Sequence, residues 1–389
     1  MGDAPLRIAL VVEHMDPVRG GCETYTAWIA SALAERGHDV TIICHDNAWE
    51  TPGVDFAHVR RRGTVRTSEL RNFAADVRAA VEREGFDVVH AMLPVDCASI
   101  YQPHSGTMPG RREASLRRRR GLKWVSACIT GKFNHYRRFL SRMERRLVAN
   151  PDTICLCVSE TVAEQFRRHF GRTERLRVVF NGVKVPDAAP AVRGQWRQRA
   201  RQRVGAGERD AVFLTVATNF VLKGVAPTIE AFARWAQRER GREAARLVVI
   251  GRDAPSRYIK LAAAQGVGRQ VKFLPYTDEL FHWYSAADAC VLLSWYDSCS
   301  LVVLEAAAWG VPSITTVFNG AAEVLSGGGG IVVASPRDTG AVVRAMEELA
   351  DPRRRGPRAE ACLGLGERLK LDRHVNELLE VYDEARRIR

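Results

Sequence analysis

Short apolar runs alternate with longer stretches of helical character along nearly the whole of this sequence. The strand candidates in the first half are 7–13, 39–45, 55–60, 87–92, 98–102, 153–159 and 176–180. In the second half they are 211–217, 246–251, 271–275, 289–294, 313–316 and 330–333. Such alternation argues for an α/β protein with parallel sheets covered by helices. Between the halves, 185–209 is rich in Pro, Ala, Arg and Gln and reads as a domain boundary with one polar helix. With 389 residues and 46% hydrophobic content, two or three buried cores are within reach. Two open α/β domains present ligands at the carboxyl ends of their strands, so a shared crevice is where a site is expected.

Several classes are excluded. No apolar run approaches the roughly 18 residues that a spanning helix needs. The run 8–12 is short and is followed by Glu13 and His14, so it reads as a buried strand rather than a signal peptide. Leu6 stands where a myristoylation signal wants Ser or Thr. The nine cysteines form no Cys-x-x-Cys pair, and an odd number suits reduced thiols in the cytoplasm.

The segment Asp297-Ser-Cys-Ser-Leu-Val-Val-Leu-Glu305, running on to Gly310 and Pro312, carries the most chemistry. An apolar strand ends in a polar turn and a helix begins near Ser298–Ser300. A helix start has unpaired N–H groups and partial positive charge, which suits a phosphate. Carboxylates flanking it suit hydroxyls attached to that phosphate, a combination a nucleotide-sugar offers. An N-capped core helix with two incidental acids has the same spacing. Lys223-Gly224 follows the first strand of the second half and precedes a helix, and a lysine there can neutralise a phosphate leaving group. Gly20-Gly21 follows the first strand and opens a helix. Paired glycines permit close backbone approach to a ligand, although an ordinary βα turn reads the same way. His104 sits just after the strand at 98–102, where a lone histidine is as readily structural as functional.

These segments together resemble the retaining family 4 glycosyltransferases. The resemblance rests on Arg19-Gly20-Gly21-Cys-Glu23, Gly37-His38, His104 in Tyr-Gln-Pro-His-Ser, Asn181-Gly182-Val183, Lys223-Gly224, Val249-Ile-Gly251 and the acid-x7-Glu of Asp297 and Glu305. Within the family the chain is most similar to the lipopolysaccharide core glucosyltransferase I group, through His135-Tyr136-Arg-Arg-Phe139 with Glu144, Phe220-Val-Leu-Lys-Gly-Val225 and Gly251-Arg252-Asp-Ala-Pro-Ser-Arg257. The resemblance implies a GT-B fold of two Rossmann-like domains. Residues 1–184 would bind the acceptor, joined by a crossing helix within 369–389, and 185–368 would bind the nucleotide-sugar. It implies that Gly20 and Gly21 approach the donor diphosphate, that His104 hydrogen-bonds the transferred sugar, that Asp297 reaches sugar hydroxyls and that Glu305 holds the ribose. Ser300 and Leu301 open the helix that faces the phosphates. His104, Lys223 and Asp297 are therefore the expected catalytic group.

The sequence departs from the family twice. Asp297 replaces the usual Glu, shortening the reach by one methylene. The arginine usually found before Lys223 is absent, with Thr218, Asn219 and Leu222 in that stretch, so Arg252 or Arg19 would supply the second cation. No Asp-x-Asp motif lies in the crevice segments, in line with the metal independence the family implies; no cofactor beyond the donor, UDP-glucose by resemblance, is expected.

The net charge is +13, from 58 basic and 45 acidic residues. Residues 111–146 hold thirteen Lys and Arg against Glu113 and Glu144, with a block at 117–120 and Trp124, Phe133, Tyr136 and Phe139 interleaved. Basic and aromatic residues in that mixture read as a surface for anionic lipid, and no nucleic-acid signature accompanies them. In the resembling group this region meets the inner membrane and a lipid-linked saccharide acceptor. The expectation is thus a cytoplasmic enzyme, peripheral on the inner face of the plasma membrane, that glycosylates an envelope saccharide such as lipopolysaccharide core. A nucleotide-sugar epimerase of the same fold, and an inactive homologue that binds membrane or a partner, are the alternatives.

Overall fold

The computed structural model describes residues 4–119, 121, 124–128, 134–238 and 245–388. The chain forms two compact units, Met1–Gly182 with Leu371–Arg389, and Val183–Lys370. The unit changes therefore fall at Gly182 and Lys370, against 184 and 368 expected from the sequence.

The first unit contains β1 (Arg7–Val11), α1 (Gly21–Glu35), β2 (Asp39–Cys44), β3 (Val54–His58), α2 (Arg66–Glu84), β4 (Val88–Ala91) and β5 (Ile100–Tyr101). It continues with α3 (Met108–Arg117), α4 (His135–Ala149), β6 (Ile154–Cys157), α5 (Glu160–Phe170) and β7 (Leu176–Val178). The seven strands are parallel in the order β3-β2-β1-β4-β5-β6-β7. The order reverses at β1, which pairs with both β2 and β4, so the loops after β1 and β4 diverge at that point.

The second unit contains α6 (Pro190–Arg203), β8 (Ala211–Ala217), α7 (Val225–Arg238), β9 (Ala245–Gly251), α8 (Ser256–Ala264), β10 (Val271–Leu274), α9 (Leu280–Ala286) and β11 (Ala289–Leu292). Then come α10 (Leu301–Ala308), β12 (Ser313–Thr316), β13 (Gly330–Val333), α11 (Thr339–Ala350) and α12 (Pro352–Gly364). Its six parallel strands run β10-β9-β8-β11-β12-β13, with the reversal between β8 and β11. Alternate residues of each strand feed the two faces, as the two-residue period requires. Phe213, Leu247 and Val249 pack beneath α7 and α11 with Trp235 and Met346. Val212, Leu214, Val248 and Ile250 pack on the other side with Trp283 and Tyr284 of α9. After α12 the chain returns to the first unit as α13 (Leu371–Ile388), which buries His374, Leu378 and Tyr382.

Each expected strand is present, most of them trimmed at one or both ends; β5 keeps only Ile100–Tyr101. Gly224, at the turn between β8 and α7, has φ +71°, and a Cβ there would lie 2.0 Å from the Leu293 carbonyl oxygen. The Leu222 carbonyl accepts the Trp295 N–H at 2.9 Å, so the loops after β8 and β11 are pressed together. Gly224→Ala should therefore destabilise the fold by about 2 kcal/mol or more, through the left-handed backbone and the overlap together. An unchanged denaturant midpoint would show that the two loops can separate freely.

Candidate functional site

In the second unit the site is assembled at the switch between β8 and β11. The loop after β8 is a tight turn: the Asn219 side chain accepts the Leu222 N–H at 2.9 Å and its carbonyl accepts the Lys223 N–H at 2.9 Å. The Asp253 carboxylate, from the loop after β9, accepts the Phe220 N–H at 2.7 Å, and Phe220 is buried. Thus Asn219, in the stretch where the resemblance implies an arginine, shapes the turn that projects Lys223. The Lys223 ammonium donates to the Asp297 carboxylate, and both side chains are largely shielded from solvent. Spacing alone does not pair them. An ammonium has three donors, so Lys223 can hold Asp297 and still offer hydrogen to a phosphate oxygen.

Asn319 holds the turn that follows Asp297. Its buried side-chain oxygen accepts N–H groups from Ser300 at 3.2 Å and Ala321 at 3.1 Å, while its amide donates to Thr315 at 3.0 Å. The Ser300 N–H is therefore committed to the fold. Helix α10 starts beyond it at Leu301, and Ser300 makes no side-chain cap. The first-turn N–H groups of Leu301 and its successors are left for a ligand or water, as at any uncapped helix start. One turn on, Glu305 is buried and its Oε2 accepts the Tyr284 hydroxyl at 2.7 Å. Burial raises its carboxyl to about 6, and the Tyr284 hydrogen bond opposes the rise. Arg252, exposed after β9, lies 5.2 Å from the Tyr276 ring centroid. Partial burial and then Asp278 push the Tyr276 hydroxyl up to about 12, with Glu305 adding to the rise and Arg252 opposing it. Arg337 covers the Trp295 ring at 4.6 Å. Asn319, Tyr284, Tyr276 and Arg337 do not stand out in the sequence; only the aromatic run 281–284 ahead of β11 carries any signal.

In the first unit, Gly20 is extended (φ 169°), and a Cβ there would meet nothing closer than the Glu23 carboxylate at 3.5 Å. Neither backbone nor packing demands glycine at Gly20, and Gly21 opens α1 without a side-chain cap. His104 occupies a turn closed by the Gly106 N–H on the Pro103 carbonyl, 2.6 Å. Its ring centroid is 4.6 Å from that of Tyr25 on α1, so the helix opened by Gly20-Gly21 and the His104 turn meet. The Tyr25 hydroxyl hydrogen-bonds His374 Nε2 at 2.8 Å, and His374 Nδ1 donates to the Phe180 carbonyl at 2.8 Å. That bond to a carbonyl fixes the tautomer, so Tyr25 is the donor; burial lowers His374 to about 3 and keeps it neutral.

Arg120, Lys123, Lys132 and Phe133 of the basic segment lie outside the described residues. Within the described part, Tyr136 and Phe139 do not form an outward aromatic face. They turn toward α2, with Arg66 and Arg71 at 5.8 and 5.3 Å from their ring centroids. Trp124 and Val125 are the exposed apolar groups there, 47% and 46% accessible. The other face of α4 exposes Arg137, Arg138, Arg142, Arg145 and Arg146. Among the described residues no helix is long and apolar enough to cross a membrane.

Two parallel Rossmann-like α/β domains, the second with a cation and an uncapped helix start at its switch point, define the GT-B class. The family models agree: residues 20–182 match the glycosyl transferase 4-like domain and 210–351 match glycosyl transferases group 1. The chain is 30% identical to D-inositol 3-phosphate glycosyltransferase of Salinispora arenicola, over 98% of this chain and 92% of that one. It is 28% identical to the lipopolysaccharide glucosyltransferase WaaG of Escherichia coli K12 over 54% of this chain and 55% of WaaG. The solved structure of WaaG superposes with a TM-score of 0.82 at 21% identity, covering 96% of this chain and 99% of that one. Anabaena HepE in complex with UDP-glucose gives 0.75 at 16% identity, covering 97% and 100%. The chain belongs to the group 1, family 4-like glycosyltransferases, and it is a glycosyltransferase.

The raised Glu305 value sets a sign for stability. The folded state holds that proton more tightly than the unfolded chain, so the contribution is fully present below the unfolded value of about 4.5 and is lost as pH rises through about 6. Glu305→Gln keeps an oxygen for Tyr284 and does not titrate. Its stability relative to wild type should rise by about 2 kcal/mol from about pH 4 to pH 8 in denaturant titrations. A difference independent of pH would mean that the Glu305 carboxylate is solvated.

Proposed function

We propose that this enzyme transfers a hexose, glucose, from UDP-glucose to a lipid-linked envelope saccharide with retention of configuration. The observation that carries the donor assignment is the meeting, at one switch point, of Lys223, the uncapped start of α10 and the buried carboxylate of Glu305. The first two suit a diphosphate. Glu305, one helix turn beyond the start of α10, suits ribose hydroxyls. Asp297 suits sugar hydroxyls, and its ion pair with Lys223 holds it next to the phosphate cation. Within the first unit, His104, backed by Tyr25, suits a sugar hydroxyl, and Gly20 and Gly21 leave the backbone open to a ligand. HepE, which shares this fold, has been solved in complex with UDP-glucose, and that supports the donor class.

In this reading the acceptor hydroxyl approaches the anomeric carbon on the face from which the diphosphate leaves. The bond from that carbon to the β-phosphate oxygen breaks, the new glycosidic bond forms, and the acceptor proton passes to the departing phosphate oxygen. Lys223 and the α10 amides stabilise the charge that develops there, so the protein contributes positioning and electrostatics and needs no metal for the step. Arg252 is the further cation within the second unit.

The basic segment 111–146, with exposed Trp124 and Val125, supports an acceptor presented at the cytoplasmic face of an anionic membrane. The likeness to D-inositol 3-phosphate glycosyltransferases across 98% of the chain favours a second acceptor class, a soluble phosphorylated polyol. Vesicles separate the two acceptor classes. Replacing the arginines at 117–120 with Gln should release the protein from vesicles containing anionic lipid while donor hydrolysis persists. Retention on the vesicles would remove the membrane role from that block. Lys223→Ala should lower turnover of the nucleotide-sugar by about 100-fold or more, the scale of losing one charge-stabilising donor. A near-normal rate would refute its role as the phosphate cation.

A further inference from the structure

Glu144 is a fully buried carboxylate on a helix whose outer face is a row of exposed arginines. Burying such a group is costly unless several donors meet it, and the fold supplies them from one place. Glu144 Oε1 accepts the Tyr101 hydroxyl at 2.8 Å, and its two oxygens lie 3.1 and 2.9 Å from the Met108 N–H. Tyr101 ends β5, and Met108 is the first residue of α3. Between them lies the turn Pro103–Gly106 that carries His104. One carboxylate therefore grips both shoulders of that turn. Gln165 of α5 adds a second tie, accepting the Thr107 hydroxyl at 2.8 Å. Nothing in the chemistry assigned so far uses Glu144.

We infer that Glu144 is a positioning residue, whose ionised carboxylate holds the His104 turn in place and ties it to the basic helix α4. This rests on the role proposed for His104. While ionised, the carboxylate accepts charge-assisted hydrogen bonds at both shoulders; once protonated, one oxygen must turn donor toward the Tyr101 hydroxyl and the other accepts the Met108 N–H only as a neutral carbonyl, so the grip weakens. The groups facing it are Tyr101 from β5, Arg111 from α3 and Cys155 from β6. Burial raises its carboxyl to about 7, against the lowering effects of the Tyr101 and Met108 hydrogen bonds and of Arg111. The turn is accordingly firm above that pH and loosened below it.

Hydrogen–deuterium exchange of the full chain, corrected for the intrinsic pH dependence of exchange, tests this without relying on turnover. In wild type, amide protection in the peptide 102–112 should fall as pH drops through about 7 while peptides from α13 stay protected. In Glu144→Gln that peptide should be weakly protected at every pH and lack the transition. Tyr101→Phe, which removes one donor and leaves the carboxylate, should retain a transition at a different pH. Turnover then reports on the His104 role: kcat of Glu144→Gln should drop about tenfold or more and lose the pH limb near 7, with nucleoside diphosphate affinity unchanged. Wild-type protection in Glu144→Gln, or a 102–112 peptide indifferent to pH in wild type, would overturn the inference. Altered protection with unaltered kcat would leave Glu144 as the clamp and instead remove His104 from the reaction.

Discussion

The ion pair between Lys223 and Asp297 joins the two loops on which the proposed donor site depends. Each loop leaves one of the strands that flank the reversal in the second sheet, and the pairing of β8 with β11 brings their ends together. Gly224 makes that approach possible by having no Cβ where the Leu293 carbonyl lies. Asn319 then fixes the turn after Asp297 and hands the chain to α10 without a capping side chain. Charge, helix start and buried acid are thus consequences of one backbone arrangement. The proposed phosphate would meet a lysine largely shielded from solvent and already held by a neighbouring carboxylate, so little reorganisation would be needed.

The first unit solves a similar problem with neutral groups. Tyr25, His374 and the Phe180 carbonyl form a buried chain in which every role is fixed, because His374 stays uncharged. His90 Nδ1 likewise meets the Tyr382 hydroxyl at 2.9 Å, and burial lowers His90 to about 3. Both pairs tie α13 to the first unit, which explains why a helix at the end of the sequence belongs with the beginning. Glu144 departs from this pattern as a buried carboxylate, accepting hydrogen bonds at both shoulders of the turn that carries His104.

Much of the architecture was legible because apolar runs and helical stretches have different periods. The strands around Ile8, Phe213 and Val291 could hardly be read otherwise. Asp297 and Lys223 stood out because each sits where a strand gives way to a helix, and Glu305 because it follows Asp297 at the acid-x7-Glu spacing. What the sequence concealed were partners distant along the chain. Nothing local announces that Tyr284 will meet Glu305, that Asn319 will hold Ser300, or that Tyr25 will meet His374 from the far end of the chain. Nothing local announces either that Arg66 and Arg71 of α2 lie over the rings of Tyr136 and Phe139. Gly20 differs again, since no neighbour forbids a side chain there.

Isothermal titration of the wild type and Glu305→Ala against a panel of nucleoside diphosphates and their sugars tests the donor site most directly. One nucleotide-sugar, UDP-glucose, should bind wild type with one site per chain, and Glu305→Ala should lose this binding while remaining folded. A folded wild-type protein that binds no member of the panel would contradict the donor site placed at Lys223, α10 and Glu305.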